Sequence, residues 1–171
     1  MQRTDSFELE RLHLRSGEGR RLDLLVRAED LSFGGSRYTV TPDLLEVRLD
    51  VSRTTGNGYA LRMRFEATLN GPCMRCLEPA SPSFPVEARE VSMPGAGEEL
   101  ASPYVDEASD LDLKGWVRDA LALAVPDQIL HDPDCRGLCP ICGVNLNENP
   151  DHAHEAEPDP RWAALRDLKL E

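Results

Sequence analysis

Apolar and polar positions alternate most cleanly between residues 45 and 69. Leu45, Val47, Leu49 and Val51 alternate with Glu46, Arg48 and Asp50, Thr55-Gly56-Asn57-Gly58 interrupts the run, and Leu61, Met63, Phe65, Ala67 and Leu69 resume it. A period of two on either side of a glycine-bearing turn predicts an antiparallel hairpin with one buried face. Residues 6–14 alternate in part and predict a strand. After the turn at Gly17-Glu18-Gly19, Leu22, Leu24 and Val26 share one parity and predict a strand over 21–27, with a helix as the competing reading. Phe84 to Val91 predicts a third strand after the hairpin.

The period changes further along. Residues 94–110 are acidic and turn-rich, with little to bury, and predict a loop. Leu113, Trp116, Val117, Ala120, Leu121 and Ala124 then recur at steps of three and four, which predicts a helix over 111–125 capped by Ser109 or Asp110 and ended by Pro126. Its apolar stripe is expected to cover the hairpin sheet, with Trp116 in the core. Asp159 as N-cap, Pro160 at the first helical position, and Trp162, Leu165 and Leu168 on one side predict a short terminal helix that docks on its own domain. The expected class is α+β: a small antiparallel sheet or partly closed barrel packed by one or two helices.

Charge divides the chain unevenly. Residues 1–90 hold 13 Arg against 14 Asp plus Glu, whereas residues 91–171 hold 6 Lys plus Arg against 17 Asp plus Glu, so nearly all of the net charge of −12 belongs to the C-terminal half. That half lacks the clustered cations that bind a phosphate backbone. It fits a basic protein partner or a solubilising surface. On the outer face of the hairpin Arg48, Arg53, Arg62 and Arg64 are interleaved with Glu46, Asp50 and Glu66, a pattern that favours cross-strand ion pairs over RNA contact. No stretch is apolar for long enough to span a membrane, and a polar start without a secretory signal predicts a cytoplasmic protein.

The cysteines add the chemistry. Cys139-Pro140-Ile141-Cys142-Gly143 is a knuckle sequence: proline presets a tight turn, glycine is free to take φ > 0, and the two thiols turn toward one point. Cys135 offers a third thiolate, and His154 or, as the alternative fourth ligand, His152 completes a tetrahedral structural zinc site. Clustered thiols in a reducing compartment point to metal rather than to a disulfide. Cys73-Met74-Arg75-Cys76 lies at the turn after the hairpin and lacks the glycine of the later knuckle. Three roles stay open for this pair: joining Cys139 and Cys142 in a four-thiolate site, forming a separate half-site, or acting as a redox couple, the last ranked lowest because no helix N-terminus follows. The expected domains are a β-rich unit over 1–126, with its acidic loop and helix, and a zinc-binding tail module over 127–171.

Cys73-x-x-Cys76 in a β-rich unit, the helix from Leu111, the run Gly137-Leu-Cys-Pro-Ile-Cys-Gly-Val-Asn-Leu-Asn147 and Asp159-Pro-Arg161 together resemble the YceD family, the large ribosomal RNA subunit accumulation proteins. The resemblance covers nearly the whole chain. Family members commonly carry a Cys-x-Cys pair shortly after the run, where this chain has His152-Ala153-His154, a swap of thiolate for imidazole that keeps ligand capacity. The resemblance implies a factor needed for 23S ribosomal RNA to accumulate, through its synthesis, processing or stability, with no catalytic mechanism and no small-molecule substrate. Its implied partners are 23S rRNA or its precursor, directly or through a basic large-subunit ribosomal protein.

Two rival classes remain. A zinc-ribbon nucleic-acid or transcription module needs a basic surface near the metal, and Arg136 is the only Lys or Arg in residues 127–160. A hydrolytic zinc enzyme needs an open coordination position and a nearby base, for which Asp151 and Glu155 are the candidates, whereas thiolate-rich sites are usually closed. The sequence contains no phosphate loop and no His-Glu-x-x-His helix.

Overall fold

The structure is a computed structural model that describes residues 2–95 and 97–154. In chain order its strands are β1 (Gln2–Arg3), β2 (Ser6–Glu8), β3 (Gly19–Arg27), β4 (Leu31–Phe33), β5 (Ser36–Thr41), β6 (Leu44–Arg53), β7 (Tyr59–Pro72), β8 (Pro79–Ala80), β9 (Ser83–Ser92) and β10 (Asp110–Asp112), followed by the helix α1 (Leu113–Ala124). The expected α+β character holds, as a mostly antiparallel sheet with one helix among the described residues. The helix expected after Asp159 lies outside the described residues.

The sheet is built around β7. Over Tyr59 to Arg64 this strand pairs with β6 on one edge and with β9 on the other, in the register Leu49↔Met63 and Met63↔Ala88. Strand β6 leaves β7 beyond Arg48↔Arg64, and β5 takes over that edge from Thr41↔Thr68 to Thr39↔Asn70. Strand β3 extends the sheet outward along β6, and β1 adds to β3 in parallel. The far end of β7 pairs with β8 at Gly71↔Ala80 and Pro72↔Pro79. The turn carrying Cys73 and Cys76 is therefore the tip of the central strand.

Alternation decides which face is buried. Leu45, Val47, Leu49 and Val51 from β6 are fully enclosed, as are Met63 and Leu69 from β7, each contributing about 1.5–3 kcal/mol through removal from water. Helix α1 lays Trp116, Val117, Ala120 and Leu121 on the same core. Trp116 stacks on Tyr104 at 6.0 Å between ring centres. No helix among the described residues is long and apolar enough to cross a membrane.

Three local expectations change. The strand expected over 6–14 is only Ser6–Glu8, after which the chain coils into a 3-10 turn over Leu9–Leu12. Leu9 is buried and His13 adopts a left-handed φ of 47° to end the turn. The helix expected over 111–125 begins at Leu113, because Asp110–Asp112 pair with β2 as a strand. Asp112, and neither Ser109 nor Asp110, is the cap, its carboxylate accepting from Gly115 N at 2.9 Å. Residues 94–110 also contain one 3-10 turn, Glu98–Leu100.

The outer arginines are engaged by carboxylates. Asp50 accepts from Arg21 at 2.7 Å and is bridged by Arg64, Arg48 bonds Asp23, and Glu87 holds both Arg62 and Arg89. The Arg21 guanidinium holds the Asp50 carboxyl below its usual range; burial opposes it, and Arg64 adds to the lowering.

Candidate metal centre

Each pair of cysteines sits on a turn of the same construction. After Pro72 the chain leaves β7, Cys73 N donates to Glu78 O (2.7 Å), and Leu77 N donates back to Cys73 O (3.0 Å), with Leu77 at a φ of 66°. In the second turn Gly143 N donates to Cys139 O (2.8 Å), with Gly143 at 73°. The left-handed residue after the second cysteine closes the loop onto the carbonyl of the first. The amides of Cys142 and Ile141 bring the Cys139 thiol down to about 6, against the upward push of burial.

The described residues hold two clusters of metal-binding side chains, each with its four ligand atoms within 4.8 Å of one another. Cys139, Cys142, His152 and His154 form one of them. Nε2 of His152 and of His154 lie 3.1 and 3.3 Å from Cys142 Sγ, and 2.9 Å from each other. The two imidazoles expected to compete for one position thus both face the knuckle. Cys139 is buried and Cys142 and His154 are exposed.

The other cluster is Cys73, Cys76, His131 and Cys135. Its three sulfurs are buried and the His131 ring is exposed. Cys73 Sγ lies 3.8 Å from Cys135 Sγ, and Cys76 Sγ lies 3.3 Å from His131 Nδ1. Cys135, expected to join Cys139 and Cys142, is placed with the earlier pair. No local pattern in the sequence marks His131, whose signal is its spacing of four from Cys135. Burial pushes the Cys73 thiol up, but the His131 side chain and the amides of Cys76, Arg75 and His131 outweigh it and bring it to about 6. Burial pushes Cys76 up to about 11, with the neighbouring Cys73 and Cys135 sulfurs adding to the rise. Crowded thiols of this kind resist carrying several negative charges unless a cation sits between them.

Both donor sets fit a tetrahedral ion. Zinc bond lengths and tetrahedral angles require about 3.8 Å between two sulfurs, about 3.6 Å between sulfur and nitrogen and about 3.3 Å between two nitrogens. The 3.8 Å of Cys73 and Cys135 meets that value, and the sulfur–nitrogen distances fall within about half an ångström of it. A disulfide requires about 2.05 Å between sulfurs. All five cysteines are free.

The segment between the clusters is tied to both. Arg75 donates to Cys135 O (2.9 Å) and to Gln128 Oε1 (2.8 Å), while its own carbonyl accepts from Leu138 N (3.1 Å). Asn147 Nδ2 donates to Cys135 Sγ (3.5 Å), and its Oδ1 accepts from Arg136 N (2.7 Å). Leu138 bridges Asn145 as a one-residue ladder, and Cys139 N donates to Val144 O (2.8 Å). The asparagine-rich run therefore folds back over the knuckle and touches a ligand of the other cluster.

Similarity to known proteins follows the same residues. The family model described as large ribosomal RNA subunit accumulation protein YceD matches residues 61–169, which include all eight clustered side chains. Proteins named only as uncharacterized, one from Mycobacterium bovis and two from Mycobacterium tuberculosis strains, are each 35% identical over 132 residues, covering 73% of this chain and 62% of the relative. The chain thus spans less than two thirds of the length of these relatives. No solved structure matches it.

Proposed function

The chain belongs to the YceD family, and from that membership we propose that it is a non-enzymatic, cytoplasmic ribosome biogenesis factor supporting the synthesis, processing or stability of 23S rRNA, with structural zinc. The observation that carries this reading is the family match over 61–169, which takes in both cysteine turns. In this reading residues 1–126 are the β-rich unit and 127–171 the metal-bearing tail, with zinc held by Cys139, Cys142, His152 and His154. Zinc bound by two thiolates and two imidazoles closes its own coordination sphere and supplies folding energy to a segment with little core.

The charge pattern favours a basic protein partner, such as a large-subunit ribosomal protein, over direct RNA contact by the sheet. The outer arginines of β6 and β7, Arg48, Arg53, Arg62 and Arg64, are bound to Asp23, Glu10, Glu87 and Asp50 respectively, so none of the four stands unpaired. Among the described residues Glu99, Glu107, Asp127 and Glu148 are exposed and have no salt bridge. Asp106 belongs apart from them, since its carboxylate caps the turn by accepting from Ala108 N and Asp110 N.

Depletion of the protein is expected to lower 23S relative to 16S rRNA, and re-expression to restore the ratio. A ratio that depletion leaves unchanged removes the proposal. Capture of basic ribosomal proteins by the purified chain is expected to fall several-fold when Glu99, Glu107, Asp127 and Glu148 are changed to their amides. Undiminished capture, with the rRNA effect intact, assigns the contact to another surface. The zinc-ribbon alternative is less well supported: Arg136, the only Lys or Arg among residues 127–154, has its guanidinium on Pro150 O (3.3 Å).

A further inference from the structure

We infer that the chain carries a second metal site, formed by Cys73, Cys76, His131 and Cys135, which staples the tip of the central strand to the segment that follows α1. This inference does not depend on the ribosomal role or on zinc at the Cys139 knuckle.

The geometry carries it. Cys73 and Cys76 come from the turn between β7 and β8, and His131 and Cys135 from a segment more than fifty residues later. Four side chains from two distant stretches converge on one point, with Cys73 and Cys135 at the sulfur–sulfur spacing of a tetrahedral zinc site. The surroundings also engage the ligands from outside: Asn147 Nδ2 donates to Cys135 Sγ at 3.5 Å, and Arg75 holds the Cys135 carbonyl at 2.9 Å. Donors aimed at sulfur from outside a four-ligand cluster are the arrangement that orients metal-bound thiolates. A set of apolar core cysteines needs no such donors.

The two sites differ in character. Three sulfurs of the sheet-to-tail site are buried, with one imidazole at the surface, so a metal there exchanges slowly. The Cys139 site exposes Cys142 and His154 and lies wholly within one short segment. The first is placed to hold two parts of the fold together, and the second to shape the tail locally. Ile129, fully buried beside the cluster, accepts at its carbonyl from Met74 N (2.8 Å) and joins the same two parts.

Native mass spectrometry of the full chain, with zinc counted by elemental analysis, tests the proposal. Wild type is expected to bind two zinc ions, and Cys139→Ser with Cys142→Ser to bind one. His131→Ala is the informative variant, because this ring is exposed and its removal leaves the buried thiols in place. It is expected to bind one zinc, and His131→Cys to recover the second. Cobalt loaded into the Cys139→Ser, Cys142→Ser protein is expected to show thiolate charge-transfer intensity for three sulfurs. One zinc in the wild type that His131→Ala leaves unchanged overturns the proposal, as does a cobalt spectrum without three-sulfur intensity. One zinc that is lost with His131→Ala but kept by the Cys139→Ser, Cys142→Ser protein upholds this site and removes zinc from the knuckle instead.

Discussion

Leu77 stands in the first cysteine turn where Gly143 stands in the second. Each follows the second cysteine of its pair, each has a left-handed φ, 66° and 73°, and each donates its N–H to the carbonyl of the first cysteine, at 3.0 and 2.8 Å. The two turns are one construction, written once with the permissive residue and once without it. A leucine in the left-handed region costs roughly 1–2 kcal/mol relative to glycine through the clash of its Cβ, and at 67% exposure the Leu77 side chain recovers little by packing.

Leu77→Gly is therefore expected to stabilise the protein, by up to about 1 kcal/mol once the added freedom of the unfolded chain is deducted. Gly143→Leu is expected to destabilise the second turn by about 1–2 kcal/mol. Thermal melts of both variants check the signs. A lower midpoint for Leu77→Gly shows that its side chain makes a contribution outweighing the backbone strain.

A close approach inside the sheet gives a second expectation. A Cβ on Gly71 would sit 2.7 Å from Tyr38 Cε1 and closer still to Cδ1, while the Tyr38 hydroxyl donates to Pro72 O (2.9 Å). The ring occupies the space a side chain at Gly71 would need, just before the first cysteine turn. Gly71→Ala is expected to cost about 1–3 kcal/mol by overpacking, and Tyr38→Phe about 1 kcal/mol through the lost hydrogen bond. Urea unfolding of the two variants separates these effects, and a cost for Gly71→Ala smaller than for Tyr38→Phe counts against the packing account.

Much of this architecture was legible in the sequence. The hairpin, its buried face and the helix stripe follow from side-chain period alone, because one face of each element must leave water. What escaped depends on contacts between distant segments. Asp110–Asp112 look like a helix start until β2 pairs with them and moves the cap to Asp112. Cys73-x-x-Cys76 is the weaker signal in the sequence because it lacks the glycine that marks such a turn, and Leu77 adopts that conformation without it. His131 is an isolated imidazole in the sequence. Its significance appears only when the tip of β7 brings two thiols to it.

Asp50 sets an acid limit on stability. The hydrogen bond from Arg21 holds its carboxyl below the ordinary value of 3.8 against the upward push of burial, and Arg64 adds to the lowering. Because the folded state binds this proton less readily than the unfolded state, the contribution is fully present above the unfolded value and is lost as pH falls through the folded one. Asp50→Asn is expected to lower stability at pH 7 by about 1 kcal/mol, since the partly exposed pairs are screened by water, and to flatten the loss of stability as pH falls below the ordinary carboxyl value of 3.8. A variant whose acid limb matches the wild type places the acid sensitivity in other carboxylates.

Asn147 is expected to govern how long the sheet-to-tail site keeps its metal. Its Nδ2 donates to Cys135 Sγ and to Asn145 Oδ1 (2.9 Å), and its Oδ1 accepts from Arg136 N. One amide thus orients a ligand, the backbone next to that ligand and the loop over the other cluster. Removing a group that orients a metal ligand typically weakens binding by about 10–100-fold. Asn147→Ala is expected to release zinc to a chelator faster by about that factor, while keeping the full metal count. Asn147→Asp is expected to be worse, because it places an anionic oxygen against a thiolate in place of a donor. Chelator-release kinetics on the Cys139→Ser, Cys142→Ser background read this site alone. Release rates equal to those of the same protein with Asn147 intact leave Asn147 a role in the loop only, and leave the orientation of Cys135 to the backbone and to Arg75 at its carbonyl.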